Sequence, residues 1–414
     1  MKEQQTFNIA VFPGDGIGPE ITAPCCHLLA LACDRANQMH DSTEASTQAA
    51  SEAALKKQAN ASTTTIGLRF TELAAGAQTY AQTAEALPAS SIKAARSADA
   101  ILLSAMGDPA IRYPDGTEIT PQIDLRFELG LYAGLRPVRS IPGVPGPLAD
   151  PRAQGIDFVL VRESIEGLFA PQAPGKMLGD EQAEETLVIT RKVSEKLFDA
   201  TFDLAIKRAK DREQSHNDAS AGASAGATQN ARITCIDKAN VFQAFAFFRK
   251  MFYEAATRAE IKTDKALHAD HAYVDIMSLN LVTQPWNYDV MVTENMFGDI
   301  LSDLGAALIG GMGYAPSADI GDEFAVFQPC HGTAPDIAGK GLANPTAMFL
   351  SGAMMLDWLA DQHQNPRLKT AARLLTQAVD DAFAPGLLKT VELGGTSGLD
   401  EVSKAVEKAL TNAN

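Results

Sequence analysis

The sequence predicts an α/β fold, and three observations carry that prediction. Short apolar runs recur along the chain, several followed by segments whose apolar residues have helical spacing. The stretch VFPGDGIGPEI, Val11 to Ile21, joins the first run to a helix start through three glycines, as a strand-to-helix turn would. Finally, 46% apolar content over 414 residues suffices for a large core shared by two or more domains.

Taken in order, FNIAVF forms the first strand, and a helix follows from Pro19, whose missing N–H costs nothing in a first helical turn. ADAILLSAMG and IDFVLVRES read as further strands. ARITCID is a strand, FQAFAFFRKMF a helix, HAYVDIM a strand, and YDVMVTEN a strand leading into the helix MFGDILSDLGAAL. This alternation implies much parallel pairing. Two stretches break the rhythm: residues 41–65 and 214–231 are small, polar and low in complexity. They carry too little apolar surface to order themselves and read as surface insertions.

A net charge of −16 repels phosphate backbones and anionic lipid, which argues against nucleic-acid and membrane partners and leaves small molecules. The five cysteines, Cys25, Cys26, Cys33, Cys235 and Cys330, form no C-x-x-C pair and point to a reducing compartment. With no apolar leader and no membrane-length apolar run, the expectation is a cytoplasmic soluble protein. The glycines Gly14, Gly16 and Gly18 run G-x-G-x-G rather than G-x-G-x-x-G, with Pro19 at the third position of a dinucleotide fingerprint. No Lys-Ser or Lys-Thr follows, so a Walker loop is excluded too.

Four constellations carry chemistry. In TENMFGDILSDLG, Asn295, Asp299 and Asp303 recur every four residues on one helix face, with Ile300, Leu301 and Leu304 expected toward the core. Such a pair of carboxylates suits Mg2+ or Mn2+, which favour hard oxygen ligands; the alternative is a solvated acidic face. Arg126, Arg136 and Arg162 lie near strand ends in a chain with few cations, and a guanidinium grips a carboxylate bidentately, although a surface ion pair is the ordinary use of any one arginine. Lys238, just past the strand in TCIDKANVF, suits a general base if burial and a metal lower its pKa; otherwise it is a solvated strand-end lysine. CHGTAPDIAGKGLANP is a glycine- and proline-rich loop whose backbone N–H groups could cradle phosphate and whose Asp336 could accept from ribose hydroxyls.

Together GDGIGPE, the LR…LRPVR pair, VRES, DKANVF, NMFGDILSD and HGTAPDIAGKGLANP resemble, in order and through nearly the whole chain, the β-decarboxylating dehydrogenases: the isocitrate, isopropylmalate and tartrate/D-malate enzymes. The resemblance implies an isopropylmalate dehydrogenase-like two-domain fold, not a Rossmann fold. The large cofactor-binding domain would be residues 1–131 and 310–414, and the small domain with the dimer interface 132–309. It implies a homodimer in which Lys238 and Asp275 enter the partner's site as catalytic residues. Asp275, Asp299 and Asp303 would hold the metal, Mg2+ or Mn2+. Arg126, Arg136, Arg162, Thr120, Gln122 and Ile123 would meet a 2-hydroxy acid. NAD would lie against Ile17, Asn240, Asn344 and the run His331, Gly332, Thr333, Ala334, Pro335, Asp336 and Ile337. Asp336-Ile337 is similar to the NAD-using members, NADP users generally having Lys-Tyr there.

Two departures stand out. Where the family usually carries a tyrosine that protonates C3 after decarboxylation, VRESIEGLF has Phe169. Thr120, Gln122 and Ile123 copy neither the isocitrate nor the isopropylmalate pattern, while RPVRSIPGVPGPLAD, SDLG and GAMMLDWL look most like the tartrate/D-malate branch. The expected activity is therefore NAD- and metal-dependent oxidative decarboxylation of a D-malate-type acid, tartrate/D-malate or 3-isopropylmalate-like. The alternatives are a dehydrogenase that decarboxylates poorly and a catalytically silent regulatory subunit.

Overall fold

The computed structural model describes residues 4–50, 64–171, 174–218, 231–263 and 267–413. The strands are β1 (Gln4–Phe12), β2 (Thr65–Glu72), β3 (Ala100–Leu103), β4 (Ala133–Arg139), β5 (Asp157–Glu163), β6 (Lys176–Leu178), β7 (Gln182–Glu184), β8 (Arg232–Asp237), β9 (His268–Tyr273), β10 (Val290–Thr293), β11 (Pro316–Ile320) and β12 (Ala325–Pro329). The helices are α1 (Gly18–Ala50), α2 (Ala77–Thr83), α3 (Ala89–Arg96), α4 (Pro121–Leu129), α5 (Arg191–Asp218), α6 (Gln243–Thr263), α7 (Val274–Thr283), α8 (Asn295–Leu308), α9 (Thr346–His363), α10 (Pro366–Phe383) and α11 (Leu399–Asn412).

Ten strands form one sheet in the order β2-β1-β3-β12-β11-β4-β5-β10-β8-β9, while β6 and β7 pair separately. Parallel pairing holds on the two flanks. The centre, β12-β11-β4-β5, is antiparallel throughout. The two parallel flanks therefore run in opposite directions. A Rossmann sheet is parallel and doubly wound, so this α/β fold is a different one, as the turn sequence implied.

Alternate residues of the flanking strands pack on opposite faces, as a two-residue period requires. In the first flank Phe7, Ile9, Val11 and Phe327 join the core of α1, α9, α10 and α11, whereas Phe12, Ile101, Leu103 and Val326 meet Ala95 of α3 and Leu125 and Leu129 of α4. In the second flank Val159, Val161 and Val292 pack under Phe198, Phe202 and Phe252 of α5 and α6, and Phe158, Leu160 and Met291 under α7 and α8. Val326, Asp319, Gly134, Arg162, Thr293 and Ile236 stand in register across six strands and so share a face. That face carries α3 and α4 at one end and α7 and α8 at the other. The strip between α4 and α8, floored by β11, β4 and β5, is where the polar residues collect.

Four expectations change. The strand at HAYVDIM stops at Tyr273, and Val274 begins α7. The central antiparallel strands were not foreseen. Ile300, expected in the core, is 61% exposed on α8, while Leu301 is buried. The low-complexity stretches are entered from both sides: α1 continues through Ala50 and α5 through Asp218, and Thr65 already belongs to β2. Extending a helix costs far less than starting one, and alanine and glutamine are good helix formers. Residues 51–63 and 219–230, the remainder of those insertions, lie outside the described residues.

Candidate active site

The GDGIG turn is closed by its own packing. Gly14 and Gly16 have φ of +72° and +56°, a region that favours glycine. A Cβ at Gly14 would collide with the Ala105 carbonyl oxygen, and one at Gly16 with that of Thr333. Buried Asp15 locks the turn by accepting from the backbone N–H groups of Ala77, Gln78 and Gly107 at 2.8, 3.0 and 2.8 Å. The N–H of buried Ile17 donates to Thr333 O at 2.9 Å, so the turn abuts the loop that follows β12.

That loop is open. Cβ atoms at Gly332, Gly339 and Gly341 would meet nothing within 4 Å. Pro335 and Asp336 are exposed, Thr333 is buried, and Ala334 and Ile337 lie between. Ala334 has φ of +40°, a costly conformation for a residue with a Cβ. The His331 ring holds Gly332 O through Nδ1 at 2.9 Å, while its Nε2 is buried without a partner among the described residues. Burial pushes the His331 pKa down, which favours the neutral ring. An orphaned imidazole nitrogen beside three uncrowded glycines fits the adenosine half of a dinucleotide. Asn344 has its amide engaged, donating to Glu392 and accepting from Thr346; it braces the end of this loop.

The three arginines converge around a residue the sequence did not flag, and not all from strand ends as expected: Arg126 lies on α4 and Arg136 within β4. Asp319 on β11 is wholly buried and accepts from Arg126 Nε at 3.0 Å, Arg136 Nη2 at 3.1 Å and Gln328 Nε2 at 2.6 Å. Burial alone would raise the Asp319 pKa, but Arg126, Arg136 and Arg162 outweigh it and hold the carboxyl below its usual range. Gly134 makes this meeting possible, because a Cβ there would lie 2.6 Å from Ser164 Oγ and 3.0 Å from Asp319 Oδ1. Arg136 also donates through Nη1 to the Leu135 and Ala318 carbonyls. Arg162 donates through Nε to Asn295 Oδ1 at 2.9 Å and through Nη1 to Asp299 Oδ1. Burial, with Arg126 and Arg136 nearby, pulls the Arg162 pKa down to about 10. Gly298 lets α8 lie this close, since its Cβ would fall 2.6 Å from Arg162 Cγ.

Thr120 precedes α4, and Gln122 and Ile123 stand one turn before Arg126 on the same side of that helix. Gln122 Oε1 is buried without a partner among the described residues. The signal for Asp319 was an acid inside the apolar strand of PSADIG, because a carboxylate is almost never fully buried unless it is paired.

Asp299 is half exposed and Asp303 exposed on the same side of α8. Burial, and secondarily Asp299, raise the Asp303 pKa, against the pull of Arg162 and Arg136. Their oxygen chemistry suits a hard divalent ion, but no group of three metal-ligating side chains converges among the described residues. Asp275 stands elsewhere, in the first turn of α7, with Oδ1 2.5 Å from Lys238 Nζ. The hydrogen bond from Lys238 holds the Asp275 carboxyl below its usual range. Asp275 is 65% exposed, and Asn240 is exposed in the same loop as Lys238. Phe169 places its ring 5.4 Å from the Arg162 guanidinium carbon. Tyr132 lies beside Lys196 and Asp322, and burial pushes its pKa up to about 12. Tyr273 lies against Arg249.

A family model described as isocitrate/isopropylmalate dehydrogenase matches residues 43–409. The 3-isopropylmalate dehydrogenase of Methanothermobacter thermautotrophicus is 33% identical over 412 residues, covering 98% of this chain and 99% of that protein. The 3-isopropylmalate/3-methylmalate dehydrogenase of Methanocaldococcus jannaschii is 36% identical over 83% of this chain and 91% of its own length. Among solved structures, the isocitrate dehydrogenase of Methylococcus capsulatus superposes with a TM-score of 0.72 at 28% identity, covering 98% of this chain and 99% of that one. With a matching model across most of its length, full-length relatives and the same fold, the chain belongs to the isocitrate/isopropylmalate dehydrogenase family, oxidoreductases that act on the CH–OH group of small hydroxy acids with NAD(P) and a divalent metal.

Proposed function

We propose that the protein oxidises and decarboxylates a D-malate-type 2-hydroxy acid, using NAD and Mg2+ or Mn2+. The observation that carries this reading is the strip between α4 and α8, where Arg126, Arg136 and Arg162 lie beside the outward carboxylates of α8. When bound, the metal supplies Lewis acidity at the C2 oxygen and NAD accepts a hydride. Asp299 and Asp303 would hold the metal together with Asp275 of a second copy. Arg126, whose Nη atoms make no hydrogen bond to the described residues, presents an open fork to a substrate carboxylate, and Gln122 Oε1 accepts from a substrate hydroxyl. Lys238, paired with Asp275, would relay the C2 hydroxyl proton, giving one up as it takes one. Asp336 accepts from a ribose 2′-OH and repels a 2′-phosphate, which favours NAD over NADP.

Two copies complete the site. Ile276, Leu279 and Val282 of α7 and Ile300 of α8 are exposed apolar residues, a surface suited to a second copy of the chain. Asp275 adjoins that surface, so docking through it brings Lys238 and Asp275 of each copy to the other's Asp299 and Asp303. A large domain of residues 1–131 and 310–414 and a small one of 132–309 is supported by the separate cores beneath α4 and beneath α5 and α6, while the main core runs across both, from Phe7 and Phe349 to Leu160 and Leu301. Five free cysteines suit a cytoplasmic location; no helix among the described residues is long and apolar enough to cross a membrane.

NADH formation with D-malate, tartrate, 3-isopropylmalate and isocitrate tests the reading. The highest kcat/KM is expected with D-malate or tartrate, and a preference for isocitrate overturns it. Asp299→Asn should abolish most turnover while NADH still binds by fluorescence titration. Phe169 favours a second reading, dehydrogenation without efficient decarboxylation, because a phenyl ring beside Arg162 has no proton to give. Phe169→Tyr should then raise the CO2 released per NADH. One CO2 per NADH at full rate in the wild type would show that another group protonates C3.

A further inference from the structure

We infer that Asp319 sets the net charge of the arginine cluster and thereby selects acids with two carboxylates over acids with three. The inference rests on the reading that these arginines hold substrate. Asp319 does not reach the substrate strip itself: it is wholly buried, and its two oxygens are taken by Arg126, Arg136 and Gln328. It is a positioning residue, and what it changes is the field in front of the arginines. Three guanidinium charges face three carboxylate charges, from Asp299, Asp303 and Asp319, and the Lys238–Asp275 ion pair that a second copy brings adds one charge of each sign. A divalent cation on α8 would therefore leave two positive charges, which a malate-type dianion neutralises. A third substrate carboxylate would find no charge to answer it.

The donors tell the same story. Arg136 has Nη1 committed to two backbone carbonyls and Nη2 to Asp319. Arg162 has Nε and Nη1 committed to Asn295 and Asp299. Only Arg126 keeps both terminal nitrogens open among the described residues, its Nε alone being bound, to Asp319. One complete guanidinium fork, together with single open donors on its neighbours, can grip one carboxylate fully and assist a second. Asp319 thus limits the cluster in two ways, by charge and by occupying donors.

The experiment compares inhibition constants of tricarballylate, with three carboxylates, and glutarate, with two, alongside kcat/KM for isocitrate and D-malate. Asp319→Asn keeps the shape and removes the charge. It should shift both tri- to dicarboxylate preferences toward the tricarboxylate on the order of tenfold, the size of one charge interaction across a partly solvated site. Gln328→Leu loosens Asp319 without changing charge and should leave the preferences near those of the wild type. Equal loss for both acids in Asp319→Asn, or an equal shift in Gln328→Leu, overturns the inference and assigns Asp319 a packing role alone. If Asp319→Asn does not fold by circular dichroism, the wild-type constants decide: tighter binding of tricarballylate than of glutarate overturns it. The inhibitor arm is independent of the acid turned over, so a wild type that prefers isocitrate refutes the proposed substrate while the charge effect of Asp319 is still read separately.

Discussion

Two glycine-rich segments of this chain look alike as sequence and behave in opposite ways. In GDGIG the glycines are demanded by crowding: carbonyl oxygens of Ala105, Thr333 and Pro13 occupy the places where their Cβ atoms would be. In HGTAPDIAGKG, Gly332, Gly339 and Gly341 face open space, and a positive φ rather than crowding asks for glycine at the last two. One is a bolt holding β1 to its neighbours, and the other is an uncrowded surface, the one proposed above to receive NAD. Glycine content alone therefore does not mark a phosphate site; what stands where the side chain would have been does.

The contrast can be broken by substitution. Gly14→Ala should destabilise the fold by on the order of 3 kcal/mol or more, from a positive φ and a backbone collision together. An unchanged denaturation midpoint would mean that the turn relaxes and is not a bolt. A second closed element sharpens the same side. Glu163 is buried behind Arg162 and accepts from the Ile165 and Glu166 N–H groups, and burial pushes its pKa from 4.5 up to about 7. A carboxyl whose folded pKa is raised binds its proton more tightly in the folded state. Its contribution is therefore full below about pH 4.5 and is lost as pH rises through about 7, roughly 3 kcal/mol across that window. Urea titrations at several pH values should show stability falling over this range, and Glu163→Gln should flatten the trend.

On the open side, Gly332→Val should leave stability within about 0.5 kcal/mol of the wild type while weakening NADH binding about tenfold, a loss of about 1.4 kcal/mol. A change in melting temperature without a change in affinity would place this loop with the closed turn. The smallest effect is expected for Asp336→Asn, which keeps the loop intact and should raise the NADP to NAD ratio of kcat/KM a few-fold. A ratio that stays put would remove Asp336 from cofactor choice.

β1, β3, β5, β8 and β10 were legible because they are short apolar runs, and α8 because its apolar and acidic residues keep helical spacing; β2, TIGLRFTE, was missed because polar residues break up its apolar ones. The antiparallel centre was not. β4, β11 and β12 carry Arg136, Asp319 and Gln328 inside them, and charged or polar residues in a strand erase the apolar signal that identifies it. Those residues are buried because they satisfy one another, a relation between positions nearly two hundred residues apart that local spacing cannot express. Ile300 failed for a related reason: apolar residues look alike whether they face a core or a surface suited to a second copy. The HAYVDIM error lies at a boundary, where Tyr273 ends a strand and Val274 begins a helix with no turn residue between them.

The reversal of strand direction across the centre of the sheet also sets the order in which the molecule can be built as it leaves the ribosome. β5, β8, β9 and β10, with α5 to α8, lie within residues 157–308 and pair among themselves, so this flank can condense as soon as its own stretch has emerged. The other flank cannot, because Val326 of β12 pairs with Ile101 of β3, 225 positions earlier. Until β12 arrives, β3 presents an unpaired and wholly buried-type edge, Ala-Ile-Leu-Leu, that invites pairing with another nascent chain. This long non-local closure should make the pairing of β12 with β3 a slow step of folding. Truncations before residue 325 should thus yield a folded middle carrying an aggregation-prone amino-terminal flank, separable by limited proteolysis.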